Sequence, residues 1–398
     1  MKIGENIIGK SDDPPFFNVT NAGAVGIDAP ELRRGDAIRT RVRTLSGFQK
    51  EAVVTSARTG QAWRLVSDEG PYLNGHDAAP CPLAFLTTGM IASYLNEILA
   101  LAKIRNVTIR KLKLIQDNFY SMQGSMQKRT MVGGALPVEL QVIIDCDLDD
   151  APLNQFLMDA VDASPLNGLM RGQLKSLFTL ARNGVELKPK MVARLGRPMQ
   201  LDPVNFFGEL IPAAGDLTLV KPLGKTAKKV VQGGTEAASS SLADEQDRRL
   251  NVGAVATLRE DGLKEIVQLL YSPHGTSFRF LSEETPGNGS KARAPDANSY
   301  ISAGIGFCFM TQFGRFASML NLDLPAYRIV QDTHFSLGGA SGGTGMAGEA
   351  DPVETHVFLD SRESDEVASE MLDISERTCF LHAFCRTDLK VKLKVVRT

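Results

Sequence analysis

Tryptophan occurs once and cysteine five times in the 398 residues, and no two cysteines form a CxxC pair. A disulfide framework of the kind that staples small secreted domains is therefore excluded. The five histidines are scattered, so no recognisable metal-ligand spacing is present and no metal or cofactor is expected. No uninterrupted apolar run reaches the roughly 18 residues of a membrane span, and residues 1–15 carry no cationic and apolar signal region. No membrane association is expected, and the expected address is the cytoplasm. A surplus of one charge is also missing. The net charge of -2 supports neither a nucleic-acid partner nor an anionic membrane surface. What remains is an ordinary globular composition, 43% apolar and 23% charged, in a chain long enough for two or three domains.

Residues 1–35 hold Asp12-Asp13-Pro14-Pro15 and several glycines, and read as an irregular leader. Strand-like alternation begins at Ala37, over Ile38 to Leu45, Glu51 to Thr55 and Ala62 to Ser67. A turn-rich stretch from Asp68 to Asp77 leads into a helix over about Pro80 to Lys103. That helix is apolar nearly all round and is expected to be buried. Strands are expected at Lys111 to Tyr120 and Val138 to Asp145, then a helix at Asn154 to Asp162. Another helix opens at Ser164-Pro165, and Leu174 to Leu180 reads as a closing strand.

The pattern then repeats. Trp63-Arg64-Leu65-Val66-Ser67-Asp68-Glu69 recurs as Phe278-Arg279-Phe280-Leu281-Ser282-Glu283-Glu284. Ile115-Gln116-Asp117 recurs as Val330-Gln331-Asp332, Pro137-Val138-Glu139 as Pro352-Val353-Glu354, and Leu174-Lys175 as Leu389-Lys390. One register holds through four separate places, which chance similarity does not do. Two copies of one domain are expected, at 36–182 and 251–398, joined by a connection over 183–250. The tail of that connection, Val231 to Ser241, is small and polar and reads as flexible. Its earlier part carries Phe206, Phe207, Leu210 and Leu219 and is expected to pack on the domains. The six glycines between Gly338 and Gly348 read as an exposed hairpin tip; no helix follows them, as a phosphate cradle requires. Strands come in runs, so the class is α+β. Each copy is expected to be a small, mainly antiparallel sheet with one long buried helix. Two such copies bury their helices against each other as a pseudo-dimer within one chain, with further self-association left open.

The two buried helices differ in their cysteines. In the second, Ala297 to Met310, Cys308 stands in the third turn; in the first, Cys81 stands at the start. The helices align best when shifted by two residues from the common register, which puts Ile91 where Cys308 stands.

Arg64-Leu65-Val66-Ser67-Asp68-Glu69, the glycine-rich turn after it, Ala-Pro-x-Pro-Leu before an apolar helix, and Ser164-Pro165-Leu166 resemble the OsmC/Ohr family of osmotically inducible and organic-hydroperoxide-resistance proteins. The second copy is similar through Cys308 and through Glu376-Arg377-Thr378-Cys379. The resemblance implies a homodimer-like arrangement of two such domains, here fused in tandem. It also implies a peroxidase cysteine in the buried helix and a second at a later helix start. Those positions are Cys308 and Cys379 in copy two, and Ile91 and Ser164 in copy one. The family's glutamate after the helix-opening proline is Cys81 in copy one and Asn298 in copy two. The nearest match to its arginine is Arg259, in Leu258-Arg259-Glu260-Asp261-Gly262.

Three functions stay open. The first is a thiol peroxidase for organic hydroperoxides through Cys308 and Cys379, with a cation (Arg259, Arg279 or His382) near the thiolate. Phe307 and Phe309 beside Cys308 suit an apolar small-molecule substrate, and the resemblance implies a dithiol or lipoyl-type reductant. The second is a cysteine hydrolase or lyase at Cys81, where the helix start favours a thiolate, with His76 as base and Ser164 beside the oxyanion. The third is a binding protein that keeps the fold without the chemistry. Cys146 and Cys385 carry no assignment; a buried cysteine is commonly a small hydrophobe.

Overall fold

A computed structural model of the chain describes residues 4–215, 217–225, 241–270, 275–285 and 290–398. The expected flexible tail lies outside these, except for Ser241. The first half contains α1 (Ile7–Lys10), β1 (Phe17–Val19), β2 (Asp36–Ser46), β3 (Gln49–Ser56), β4 (Ala62–Ser67) and the long helix α2 (Pro82–Arg105). It continues with β5 (Ile109–Ser125), β6 (Val132–Cys146), α3 (Asp150–Asp162), α4 (Leu166–Arg171) and β7 (Leu177–Arg182). The connection adds β8 (Val185–Leu187), β9 (Ala193–Arg194), a 3-10 turn at Pro203–Phe207, and β10 (Val220–Lys225). The earlier order then recurs as β11 (Glu245–Leu258), β12 (Lys264–Leu269), β13 (Thr276–Ser282), α5 (Ala297–Leu320), β14 (Ala326–Phe335) and β15 (Glu354–Asp360). It ends with α6 (Asp365–Thr378), α7 (Phe380–Arg386) and β16 (Val391–Arg397).

The class is α+β, but each sheet takes strands from both halves. A nine-stranded sheet runs β1-β4-β3-β2-β14-β15-β7-β8, with β9 on β7; a seven-stranded sheet runs β10-β13-β12-β11-β5-β6-β16. The seams are antiparallel, β2 on β14 with Arg41 opposite Val330, and β5 on β11 with Ile115 opposite Val255. In each sheet the last strand of one half then adds in parallel to the other half's hairpin, β7 on β15 and β16 on β6. The halves are thus interlocked by exchanged strands, not merely docked through their helices.

Between the sheets lie α2 and α5. They are apolar around most of their circumference because every side meets protein. By length and composition α2 could cross a membrane, but 83% of its most apolar stretch is buried inside this fold. Pro82 starts α2, Asp296 caps α5 by accepting the Ser299 amide at 2.7 Å, and left-handed Asn106 and Asn321 end them. Helix 82–105 therefore matches helix 297–320 in the common register of 215, not the shifted one. The helices touch where Gly89 faces the Ala297 carbonyl and Gly304 faces the Leu86 amide. A Cβ at either glycine would stand 2.6 Å from that backbone atom.

Outside the larger sheet, Phe17, Val19 and Ile27 of the leader pack with Phe207 of the connection against Val53 and Ala62. The glycine-rich segment is not simply a hairpin tip. Residues 338–340 are buried against α2, and only those from 341 to 347 stand mostly in solvent.

Candidate active site: a thiol pair and its serine counterpart

Cys308 lies deep in α5. Cys379 sits at the break between α6 and α7, where its extended backbone (φ -73°, ψ 120°) turns the side chain inward. The two sulfurs are 3.4 Å apart, and both thiols are free and buried. A disulfide closes at about 2.05 Å, so a small approach of the two side chains forms it. Burial pushes the Cys308 thiol well above its ordinary value, the Cys379 thiol adds to this, and the Leu381 amide opposes it.

A small cavity of about 40 Å³ lies beside Cys308, walled by both halves. From the first half come Glu69, Tyr72, Pro82 and Leu83; from the second come Arg248, Thr311, Arg315 and Phe380. Thr311, one turn beyond Cys308, donates to Glu69 Oε1 at 2.6 Å, and Tyr72 donates to Glu69 Oε2 at 2.5 Å. Lys50 on β3, wholly buried, donates to Thr311 Oγ1 at 2.9 Å and to the Phe48 carbonyl at 2.7 Å. Arg315 donates Nε to the Ser241 carbonyl at 2.8 Å, while its buried Nη2 has no partner among the described residues. Burial raises the Glu69 carboxyl, and the Lys50 charge partly offsets that. Sequence reasoning overlooked Lys50, Arg248 and Arg315. The available signal was a lysine in an otherwise apolar strand face and an arginine within an apolar helix.

The common register generates a second site. Cys308 and Cys379 map onto Ser93 and Ser164, whose hydroxyls are hydrogen-bonded at 2.8 Å and buried. Ile91 is therefore not the counterpart of Cys308; it is fully buried core. Ser93 opens onto a much larger cleft of about 910 Å³, with Asp36, Glu97, Glu284, Asn298 and Arg58 on its walls. Glu97 accepts the Ala340 and Ser341 amides at 2.9 and 3.0 Å, holding the glycine-rich segment over α2. Asn298 donates to Asp36 at 2.9 Å, and so faces the serine site rather than the thiols.

The other expected residues lie as follows. Cys81 caps α2 and is buried. It lies near Lys50 and Tyr120, as does Cys308, so the two cysteines share one neighbourhood. Burial and Glu69 push the Cys81 thiol up to about 12, against the Ala84 and Leu83 amides. His76 gives Nε2 to the Gly4 carbonyl contact at 2.7 Å, and among the described residues it makes no bond to Cys81. Arg259 stands at a partly exposed hairpin tip, paired with Asp261 at 3.0 Å. Arg279 on β13 acts on Tyr300. The His382 ring stacks on Phe178 and Phe309, with centroids 5.4 and 4.7 Å away, and among the described residues neither of its nitrogens has a partner. Burial, aided by Arg386, holds its pKa down at about 3, so it is a neutral packing group. Phe307 packs on Phe85 at 5.2 Å; neither it nor Phe309 lines the thiol cavity. Cys385 and Cys146 are buried in the core.

Among the described residues, Asp332, His334 and Glu354 bring potential metal-ligand atoms within 4.8 Å of one another. Arg39 already holds both Asp332 oxygens at 2.8 Å and Arg33 holds Glu354 at 2.8 Å, so the cluster is an ion-pair network on the outer face of the larger sheet.

The family model described as OsmC-like protein matches residues 287–394, which include Cys308 and Cys379. Residues 287–394 are an OsmC-like domain. One solved structure is similar to this chain: an OsmC-like hydroperoxide resistance protein from Jannaschia sp. CCS1. It is 21% identical over 32% of this chain and 79% of that one, with a TM-score of 0.20. No curated protein matches the chain significantly. The OsmC-like domain begins before α5 and takes in both thiols, while the Lys50, Glu69 and Tyr72 side chains beside them come from the first half.

Proposed function

We propose that the protein reduces organic hydroperoxides with Cys308 and Cys379. The observation that carries this reading is the 3.4 Å contact between two buried free thiols within the OsmC-like domain. The Cys308 thiolate attacks the outer peroxide oxygen. The O–O bond breaks, Cys308 becomes a sulfenic acid, and the alkoxide takes a proton to leave as the alcohol. Cys379 then attacks the sulfenic sulfur, releasing water and forming the disulfide. A dithiol or lipoyl-type reductant returns both thiols by exchange, becoming a disulfide itself. Burial among Phe380, Leu83 and Pro82 suits an apolar peroxide. This chemistry calls for a reducing compartment, in keeping with a cytoplasmic address.

The common register also supports reading the first half as a second OsmC-like domain, so that one chain does the work of a dimer. That domain carries Ser93 and Ser164 in place of the thiols, which leaves one redox site per chain. The reading is tested by following cumene hydroperoxide consumption with dithiothreitol as reductant. Turnover by the native chain and none by Cys308→Ser supports it; equal consumption by both refutes it.

A further inference from the structure

A fully buried lysine without an ion pair is costly, because the ammonium gives up water for neutral acceptors. Lys50 is such a group: it is 0% exposed, and among the described residues no carboxylate is salt-bridged to it. Two of its three donors go to the Phe48 carbonyl and Thr311 Oγ1. The third has no acceptor among the described residues. Thr311 lies one helical turn from Cys308 and lines the same cavity. The twin position on β12 is Lys264, opposite Ser282 as Lys50 is opposite Ser67; it is also buried, and its Nζ lies 4.0 Å from Glu284.

We propose that Lys50 is the positioning cation of the thiol site, set by Thr311 so that its charge stabilises the Cys308 thiolate. The inference rests on Cys308 being the reacting thiol. The groups that face this pair from other elements are Glu69 and Asp68 before α2, Cys81 at its cap, and Tyr120 on β5. Cys379 adds a thiol, Tyr72 a phenol, and Arg248 and Arg315 two further cations. Lys50, Arg248 and Arg315 are three cations against the Glu69 and Asp68 carboxylates, so a Cys308 thiolate is the anion that would balance them. Burial lowers the Lys50 pKa, and the negative charges of Glu69, Asp68, Cys308 and Cys81 work against that. Glu69 acts on Cys308 in the opposite sense and raises its pKa.

The test is a pH titration of thiolate ultraviolet absorbance, with the Cys308→Ser signal subtracted in each background. In Lys50→Met the Cys308 pKa is expected to rise by about one unit or more, the size of a neighbouring-charge effect. That is about a tenfold loss of thiolate at neutral pH. Lys50→Arg should keep the native value, and Glu69→Gln should lower it. The thermal midpoint of Lys50→Met should not fall, since a methionine of similar shape replaces a buried charge. An unchanged Cys308 titration in Lys50→Met, or shifts of the same sign in Lys50→Met and Glu69→Gln, overturns the proposal. If Lys50→Met does not fold, the Lys50→Arg and Glu69→Gln titrations decide it by the same signs. Peroxide consumption is read separately: a chain that titrates as expected but consumes no peroxide defeats the functional reading and leaves the role of Lys50 standing.

Discussion

The thiol site and the serine site occupy the same place in a repeated backbone and differ in nearly everything chemical. At the first, two sulfurs lie 3.4 Å apart beside a cavity of about 40 Å³ that Arg315 and Phe380 help to fill. At the second, two hydroxyls lie 2.8 Å apart beside a cleft of about 910 Å³, because Ala100 and Pro165 stand where those large side chains stood. The charge changes as well. The lysine is kept, as Lys264, but Gln312 and Leu250 at the thiol site become Glu97 and Asp36 at the serine site. Capping shifts similarly, from Cys81 on α2 to Asp296 on α5. The backbone thus fixes where two helix-borne side chains meet, and the surrounding charges decide whether an anion is tolerated there.

The comparison can be broken most severely at Cys308. Cys308→Ser should abolish peroxide reduction, a loss of about a thousandfold or more, since the nucleophile itself is gone; initial rates of peroxide consumption measure this. Cys379→Ser should still react once and then stall as a sulfenic acid, which a dimedone adduct detects in the intact mass.

A transplant sharpens it. Ser93→Cys with Ser164→Cys should yield a second pair that copper-catalysed oxidation can join. Its reaction with cumene hydroperoxide should stay at least about tenfold slower than that of Cys308, because the carboxylates of Asp36 and Glu97 stand where the thiol site has Leu250 and Gln312. Stopped-flow peroxide consumption in a Cys308→Ser background gives the rate, and equality with native Cys308 would show that the surrounding charge is irrelevant.

Smaller effects concern the frame shared by both sites. Gly304→Ala puts a methyl 2.6 Å from the Leu86 amide and should cost roughly 1–3 kcal/mol in urea unfolding, as overpacking does. The serine site also carries a pH signature. Burial, with Glu284 and Asp36 nearby, raises the Asp296 pKa from 3.8 to about 7. Its protonated form is favoured in the fold, so its contribution is fully present below its unfolded value and is lost as pH rises through 7. Asp296→Asn keeps a good helix cap without the charge, and should flatten the decline in stability between about pH 4 and 7. Urea midpoints at both ends of that window check it; an unchanged slope would assign the decline to other groups.

Much of the frame was legible. Strands with sharp polar landmarks, such as Ser67-Asp68-Glu69 and Ser282-Glu283-Glu284, hold a register that chance does not mimic. The apolar helices offer few landmarks, so they slid by two residues and paired Ile91 with Cys308. The caps Asn106 and Asn321 would have held them in place. The strand exchange was not legible, because periodicity shows which face of a strand is buried but not which half supplies its neighbour. Cys308 and Cys379 came from family resemblance, whereas their cation did not. His382 is a candidate cation by its place three residues after Cys379, but the helix starts only at Phe380, and the ring turns away onto Phe178. Arg259 was chosen for its place before Asp-Gly, and that turn holds it at the surface.

The most direct measurement is peptide mass spectrometry after one equivalent of cumene hydroperoxide under non-reducing conditions. The account expects a Cys308–Cys379 disulfide in near-stoichiometric yield, reversed by dithiothreitol, with Cys81, Cys146 and Cys385 still free. Unchanged thiols at both positions, or oxidation confined to Cys81, would contradict it.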